Sequence, residues 1–181
     1  MAEKTDQEIL LMLQNPALRD KGFTLLMDNH KERIYLYIRR LVVFHEDAED
    51  VLQETFINAY RYAASFNGKS KIYTWLYKIA TNECIALFRR SKKDGFKMIE
   101  ISQQLENQLS EPAIETSDAI LVKFQEAIQQ LPEKQRIVFN LRYYDDLSYE
   151  EMEEITGSSV GTLKTNYHYA AEKVKNYLKN S

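Results

Sequence analysis

Apolar residues recur along most of this chain at the three- and four-residue spacing of amphipathic helices. Ile9, Leu10 and Leu13 predict a first helix over Thr5 to Gln14, opened by a Thr5/Glu8 capping box and stopped by Pro16. A second reads from Phe23 to Phe44 through Leu26, Ile34, Tyr37, Ile38 and Leu41, with a break near Asn29. From Asp47 a third carries Ala48, Val51, Leu52, Phe56 and Ala59 on one stripe, with Asp50, Gln53, Glu54 and Asn58 opposite. Phe66-Asn67-Gly68-Lys69-Ser70 has the composition of a loop, with Ser70 a candidate N-cap for a helix over Ile72 to Arg90.

The period is lost after Ser91. Residues between Glu100 and Asp118 include five acids and no base, the composition of a linker. Helical spacing resumes at Asp118 through Ile120, Leu121, Phe124, Ala127, Ile128 and Leu131, and Pro132 suits the first position of a further helix containing Ile137, Val138 and Leu141.

Two helices joined by a tight turn then occupy Leu147 to Leu178. Ser148 and Glu151 form a capping box, Gly157 follows where only a residue tolerant of positive φ ends a helix and turns the chain, and Ser159 caps the second helix. Its stripe of Val160, Leu163, Tyr167, Ala170, Val174 and Leu178 leaves Thr162, Lys164, Thr165 and His168 on another face. This is the pattern of a helix-turn-helix whose second helix reads DNA, and equally that of a helical hairpin with a solvated polar face.

Composition narrows the class. The 181 residues are 44% hydrophobic with only five Gly and three Pro, so a largely helical globular chain is expected, and no apolar run approaches the roughly 20 residues of a membrane span. The first residues lack the pattern of a signal peptide, which predicts a cytoplasmic location. Cys84 is the single cysteine; it suits a small buried apolar residue rather than a disulfide or a metal ligand. No metal, cofactor or catalytic grouping is readable, so no enzymatic activity is expected.

Charge is patterned although the net value is only −3. Eight bases against two acids lie between Lys69 and Lys97, whereas His45 to Glu54 holds five carboxylates. The acidic face of the third helix reads as solvated when taken alone. The basic helix interleaves Tyr73, Trp75 and Tyr77 with Lys69, Lys71, Lys78, Arg89 and Arg90, a mixture suited to single-stranded nucleic acid, although the spacing of Trp75, Leu76 and Ile79 favours Trp75 as a core residue.

Three stretches together resemble one family: Asp47-Ala48-Glu49-Asp50-Val51-Leu52-Gln53-Glu54-Thr55-Phe56; Tyr73-Thr74-Trp75-Leu76-Tyr77-Lys78-Ile79-Ala80-Thr81-Asn82; and Leu131-Pro132-Glu133-Lys134-Gln135-Arg136 leading to Ser159-Val160-Gly161-Thr162-Leu163-Lys164. In order and spacing they resemble an extracytoplasmic-function sigma factor of bacterial RNA polymerase. The resemblance implies an all-α fold of two small helical domains, residues 1–95 and 118–181, joined by a flexible acidic linker over 96–117. It implies core-polymerase docking through Asp47, Asp50, Gln53 and Glu54, and minus-10 DNA binding through Lys69, Lys71, Tyr73, Lys78, Asn82, Arg89 and Arg90, with the Phe66 to Lys71 loop and Asn82 nearest a captured base. Minus-35 binding would fall to Ser159, Thr162, Lys164, Thr165 and His168. Core RNA polymerase, promoter DNA and an anti-sigma protein are the implied partners, with no membrane insertion and no cofactor. The chain departs from the family where Asn166 and Tyr169 stand in place of common arginines, which implies a modest minus-35 affinity. A helix-turn-helix regulator acting without polymerase is the alternative, but it leaves the acidic helix and the basic aromatic helix without a use.

Overall fold

The computed structural model describes residues 5–42, 44–93 and 116–180, and all regular structure among them is helical. Among the described residues eight α-helices follow in order: α1 (Asp6–Gln14), α2 (Arg19–Leu41), α3 (His45–Tyr62), α4 (Ile72–Lys93), α5 (Thr116–Gln129), α6 (Glu133–Tyr143), α7 (Tyr149–Thr156) and α8 (Val160–Asn180), with a 3₁₀ turn at Ala63–Ser65. The chain divides into two compact units, Met1–Leu87 with Glu154–Thr156 and Phe88–Glu153 with Gly157–Ser181. The expected linker lies outside the described residues, apart from Thr116 and Ser117 at the start of α5.

In the first unit Thr5 caps α1 as expected: the Glu8 backbone N–H donates to Thr5 Oγ1 at 3.3 Å, and the Glu8 carboxylate accepts the Thr5 N–H at 2.9 Å. α1 then lies on α2 at Gly22, where an added Cβ would stand 2.8 Å from Met12 Cβ, so a side chain there would force the two helices apart. α2 runs unbroken through Asn29, against expectation. Asp28 and Asn29 are exposed, while Leu26, Ile34, Tyr37 and Ile38 are buried and carry the helix across that turn. Ala48, Val51, Phe56 and Ala59 of α3 and Ile72, Leu76, Tyr77, Ala80 and Cys84 of α4 complete the buried set.

The second unit is centred on Ala127, Ile128, Leu131, Phe139, Ala170 and Val174, with Phe124 and Tyr167 packed against them. Pro132 occupies the N-cap of α6 with ψ 143°, one position earlier than expected, because its extended backbone precedes the first helical residue.

Candidate nucleic-acid and partner interfaces

On α3 the buried stripe fixes what the opposite face presents. Asp50, Gln53 and Glu54 are exposed together, whereas Asp47 is half-buried and makes contacts of its own within the fold. Beside this face α2 and α3 leave an open groove of about 920 Å³, lined by Phe23, Met27, Leu52, Phe56 and Ile57 and reached by Gln53. Sequence reading missed the groove. Its signal was Ile57, an apolar residue one helical turn beyond Gln53 on the polar face, and 40% exposed. An apolar trough with carboxylates and an amide beside it suits the side of another helix, which can seat apolar residues while its polar groups meet Gln53 and the acids.

The loop before α4 is pinned at one end. Phe66 is buried, its ring stacked on Trp75 at 4.6 Å and 17°, and its carbonyl accepts a hydrogen bond from Gln14 Nε2 at 2.9 Å. Phe66 thus serves packing, and Trp75 is half-buried against it rather than presented as a free platform. α4 starts at Ile72, so Lys71 and not Ser70 precedes it; the Lys71 carbonyl accepts the Trp75 N–H at 3.1 Å. Asn67, Lys69, Ser70, Trp75 and Lys78 line a recess beside the loop. Lys69, Lys71, Lys78 and Asn82 are exposed.

The structure does not gather all the expected minus-10 residues on one face. At about 100° per residue, Lys78 and Asn82 share a face of α4, and Tyr73 lies roughly 140° to 180° away. There it meets Arg33 of α2. Arg89 and Arg90 are exposed but follow Leu87, among the residues of the second unit.

In the second unit the turn is built as its residues demand. The Glu151 N–H donates to Ser148 Oγ at 3.2 Å and Glu151 Oε2 accepts the Ser148 N–H at 2.9 Å; Gly157 takes φ 71° and its N–H closes α7 on the Glu153 carbonyl at 2.8 Å. Ser159 Oγ accepts the Thr162 N–H at 3.3 Å and lies 2.9 Å from Thr162 Oγ1, so both hydroxyls are engaged in capping α8. With Leu163, Ala170 and Val174 buried, Ser159, Thr162, Lys164, Thr165 and His168 are all exposed. Thr165 Oγ1 donates to the Gly161 carbonyl at 3.0 Å, which leaves its methyl group and oxygen lone pairs for a ligand. Lys164 Nζ stands 5.6 Å from the Tyr149 ring centroid, and His168 Nε2 lies 3.5 Å from Glu172 Oε2. Asn166 is half-buried and Tyr169 is 52% exposed.

Residues 26–94 match the family model for Sigma-70 region 2, and residues 121–174 that for Sigma-70 region 4. The chain is 34% identical over 167 residues to the ECF RNA polymerase sigma factor SigW of Bacillus subtilis, spanning 87% of this chain and 89% of that one. It is also 34% identical over 182 residues to the ECF RNA polymerase sigma-E factor of Escherichia coli, spanning 95% and 93%. The chain belongs to the extracytoplasmic-function sigma factors of the sigma-70 family. This sigma factor is accordingly a transcription initiation factor that binds core RNA polymerase and confers promoter recognition. Its fold is like that of CnrH, solved with the cytosolic domain of CnrY, at TM-score 0.72 and 18% identity over 97% of this chain and 98% of that one. The sigma factor RpoE of Bartonella quintana, solved with the anti-sigma factor NepR, matches at TM-score 0.67 and 24% identity over 88% and 98%. No helix among the described residues is long and apolar enough to cross a membrane.

Proposed function

We propose that the sigma factor docks on core polymerase through Asp47, Asp50, Gln53 and Glu54, within a first domain spanning residues 1–95, and that a second domain spanning 118–181 carries the minus-35 reader. The observation that carries the docking assignment is the joint exposure of Asp50, Gln53 and Glu54 beside the apolar groove, on a helix whose other face is buried. A polymerase helix seated in that groove would bury Ile57 and Phe23 and place its own donors against Gln53 and the carboxylates.

Promoter opening then follows from binding, with no catalytic step. Unpairing bases costs a few kcal/mol, so the open strand must be held as it forms. Lys69 and Lys78 hold the strand at the recess with Asn82 on the same face as Lys78, Lys71 and Tyr73 extend the surface at the N-terminal end of α4, and Arg89 and Arg90 extend the positive potential along α4. Ser159, Thr162, Lys164, Thr165 and His168 face the minus-35 duplex, where the uncharged Asn166 and Tyr169 leave few phosphate contacts and affinity is modest. The cytoplasm is the compartment in which these partners are met, and an anti-sigma protein is a further partner, as RpoE of Bartonella quintana has been solved with the anti-sigma factor NepR.

The test is reconstitution with core polymerase. The holoenzyme is expected to initiate at a small set of promoters that core enzyme ignores, identified by sequencing transcripts after overexpression. Duplex promoter binding by the free chain, with no change in polymerase specificity, would favour the stand-alone regulator instead.

A further inference from the structure

Arg33 lies on α2, outside every stretch that the sequence marks for DNA. Its Nε donates to Tyr77 Oη at 3.0 Å, and its guanidinium carbon stands 5.0 Å from the Tyr73 ring centroid and 5.4 Å from that of Tyr77. Three contacts thus fix the orientation of a side chain that is nevertheless exposed. Lys71 approaches the same tyrosine from the start of α4: its Nζ donates to Tyr73 Oη at 2.9 Å and stands 5.3 Å from the ring centroid. Two cations from two elements therefore converge on one ring. Among the described residues no carboxylate stands within ion-pair distance of Arg33.

Only one of the five guanidinium N–H donors is used, so a fork of four remains for an acceptor. Bracing α2 against α4 would not require this, because the tyrosine contacts engage the Nε edge and the plane of the group and leave the Nη edge idle. An oriented guanidinium with no carboxylate among the described residues in ion-pair distance, on a ring that a second cation also approaches, is stabilised by an anion with oxygens spaced for bidentate contact. The Lys71 side of the pair adjoins the loop that holds the strand, and the first-turn N–H groups of α4 add partial positive charge at the same end.

We propose that Arg33 binds a backbone phosphodiester of the opened minus-10 strand, so that the strand passes over the N-terminal end of α4 onto α2. The inference rests on the minus-10 assignment of α4. It makes Arg33 a strand-positioning residue that adds affinity without base preference.

The experiment uses reconstituted holoenzyme and a fluorescent forked duplex carrying the minus-10 region of a promoter mapped by transcript sequencing. Affinity is measured across a salt series for wild type, Arg33→Ala, Arg33→Lys and Lys78→Ala. Arg33→Ala is expected to weaken binding roughly tenfold at low salt, and to make the slope of log affinity against log salt shallower by about 0.7, the value for one single-strand phosphate. Arg33→Lys should retain most of that slope, which separates charge from loss of folding. Replacing single phosphates by neutral methylphosphonates should reveal one unpaired-strand position at which Arg33→Ala no longer matters. Wild-type affinity and slope for Arg33→Ala, with Lys78→Ala impaired, overturns the proposal and leaves the minus-10 reading standing; loss from neither change removes both. A sensitive phosphate in the upstream duplex overturns the strand path.

Discussion

Tyr37 of α2 donates its buried phenolic proton to Thr81 Oγ1 of α4 across 2.7 Å. The direction follows from Thr81, whose own proton is committed to the Tyr77 carbonyl at 2.7 Å, so its oxygen accepts. The bond joins α2 to α4, and Tyr37 and Tyr77 pack with centroids 4.8 Å apart beside it. Tyr37→Phe is expected to keep the ring packing and lower stability by about 1 kcal/mol, read as a lower urea midpoint with an unchanged slope. An unchanged midpoint would show that the hydroxyl pair contributes no net stability.

Asp50 and Gln53 stand clear of the α3 core, so their loss should reach the partner without reaching the fold. Asp50→Ala with Gln53→Ala is expected to shift unfolding by no more than about 0.5 kcal/mol and to weaken core-polymerase binding about tenfold or more. Competition against a labelled wild-type chain for core enzyme measures this directly. Equal competition by the double variant would remove α3 from the docking surface.

How far these features could be read beforehand depended on how local their causes are. The boxes at Thr5/Glu8 and Ser148/Glu151 and the stop at Gly157 involve residues within four positions of one another, and each formed as its sequence dictates. The continuity of α2 through Asn29 was not legible, because burial on the opposite face outweighs the weak helix preference of two exposed residues. The α2–α3 groove and the Arg33 contacts join residues tens of positions apart, and only packing brings them together. Trp75 stood between the two cases: its spacing indicated burial, but its stacking on Phe66 depended on how the loop closes.

Gly157 is a backbone requirement with no steric one. A Cβ there would meet nothing within 4 Å, yet φ is 71°. Gly157→Ala should therefore cost about 1 to 2 kcal/mol through conformation alone, and Gly157→Asn less, since Asn tolerates the left-handed region. Chemical denaturation orders the three. A loss from Asn as large as from Ala would point to a contact rather than to φ.

His30 gives the first unit a pH response. Its Nε2 lies 3.2 Å from Asp6 Oδ1, but its pKa falls below the ordinary 6.5, because burial disfavours the imidazolium more than Asp6 favours it, and Arg33 adds repulsion. The unfolded chain lacks that penalty and takes up the proton first as pH falls. The associated stability is thus fully present above 6.5 and is lost as pH drops through 6.5 toward the lower folded value. His30→Gln should lose less stability than wild type between about pH 7.5 and about pH 5.5, measured by urea unfolding at both. Parallel losses would place the response on other groups.

Lys164 is the strongest candidate for base reading on α8, because the neighbouring hydroxyls are partly spent. Ser159 and Thr162 share one hydroxyl–hydroxyl bond at the helix cap, which commits one of their two protons, and Thr165 donates its own to the Gly161 carbonyl, so only one of the three hydroxyls can donate without breaking a local bond. Lys164 is exposed, with Nζ held only loosely near the Tyr149 ring, and its ammonium can donate to guanine O6 and N7 in the major groove. Thr165 would then contribute its methyl group to a thymine or accept from a base amine. The competing role is a phosphate anchor, which the same ammonium fills without reading sequence. A library of minus-35 duplexes bound at fixed salt separates them. If Lys164 reads a base, Lys164→Ala loses about 1 to 3 kcal/mol on the preferred sequence and relaxes one position; if it only anchors, affinity falls alike on every sequence and the base profile stays as it was. The first outcome is expected, since Asn166 and Tyr169 leave this helix short of phosphate contacts and its selectivity must come from the few side chains that reach the bases.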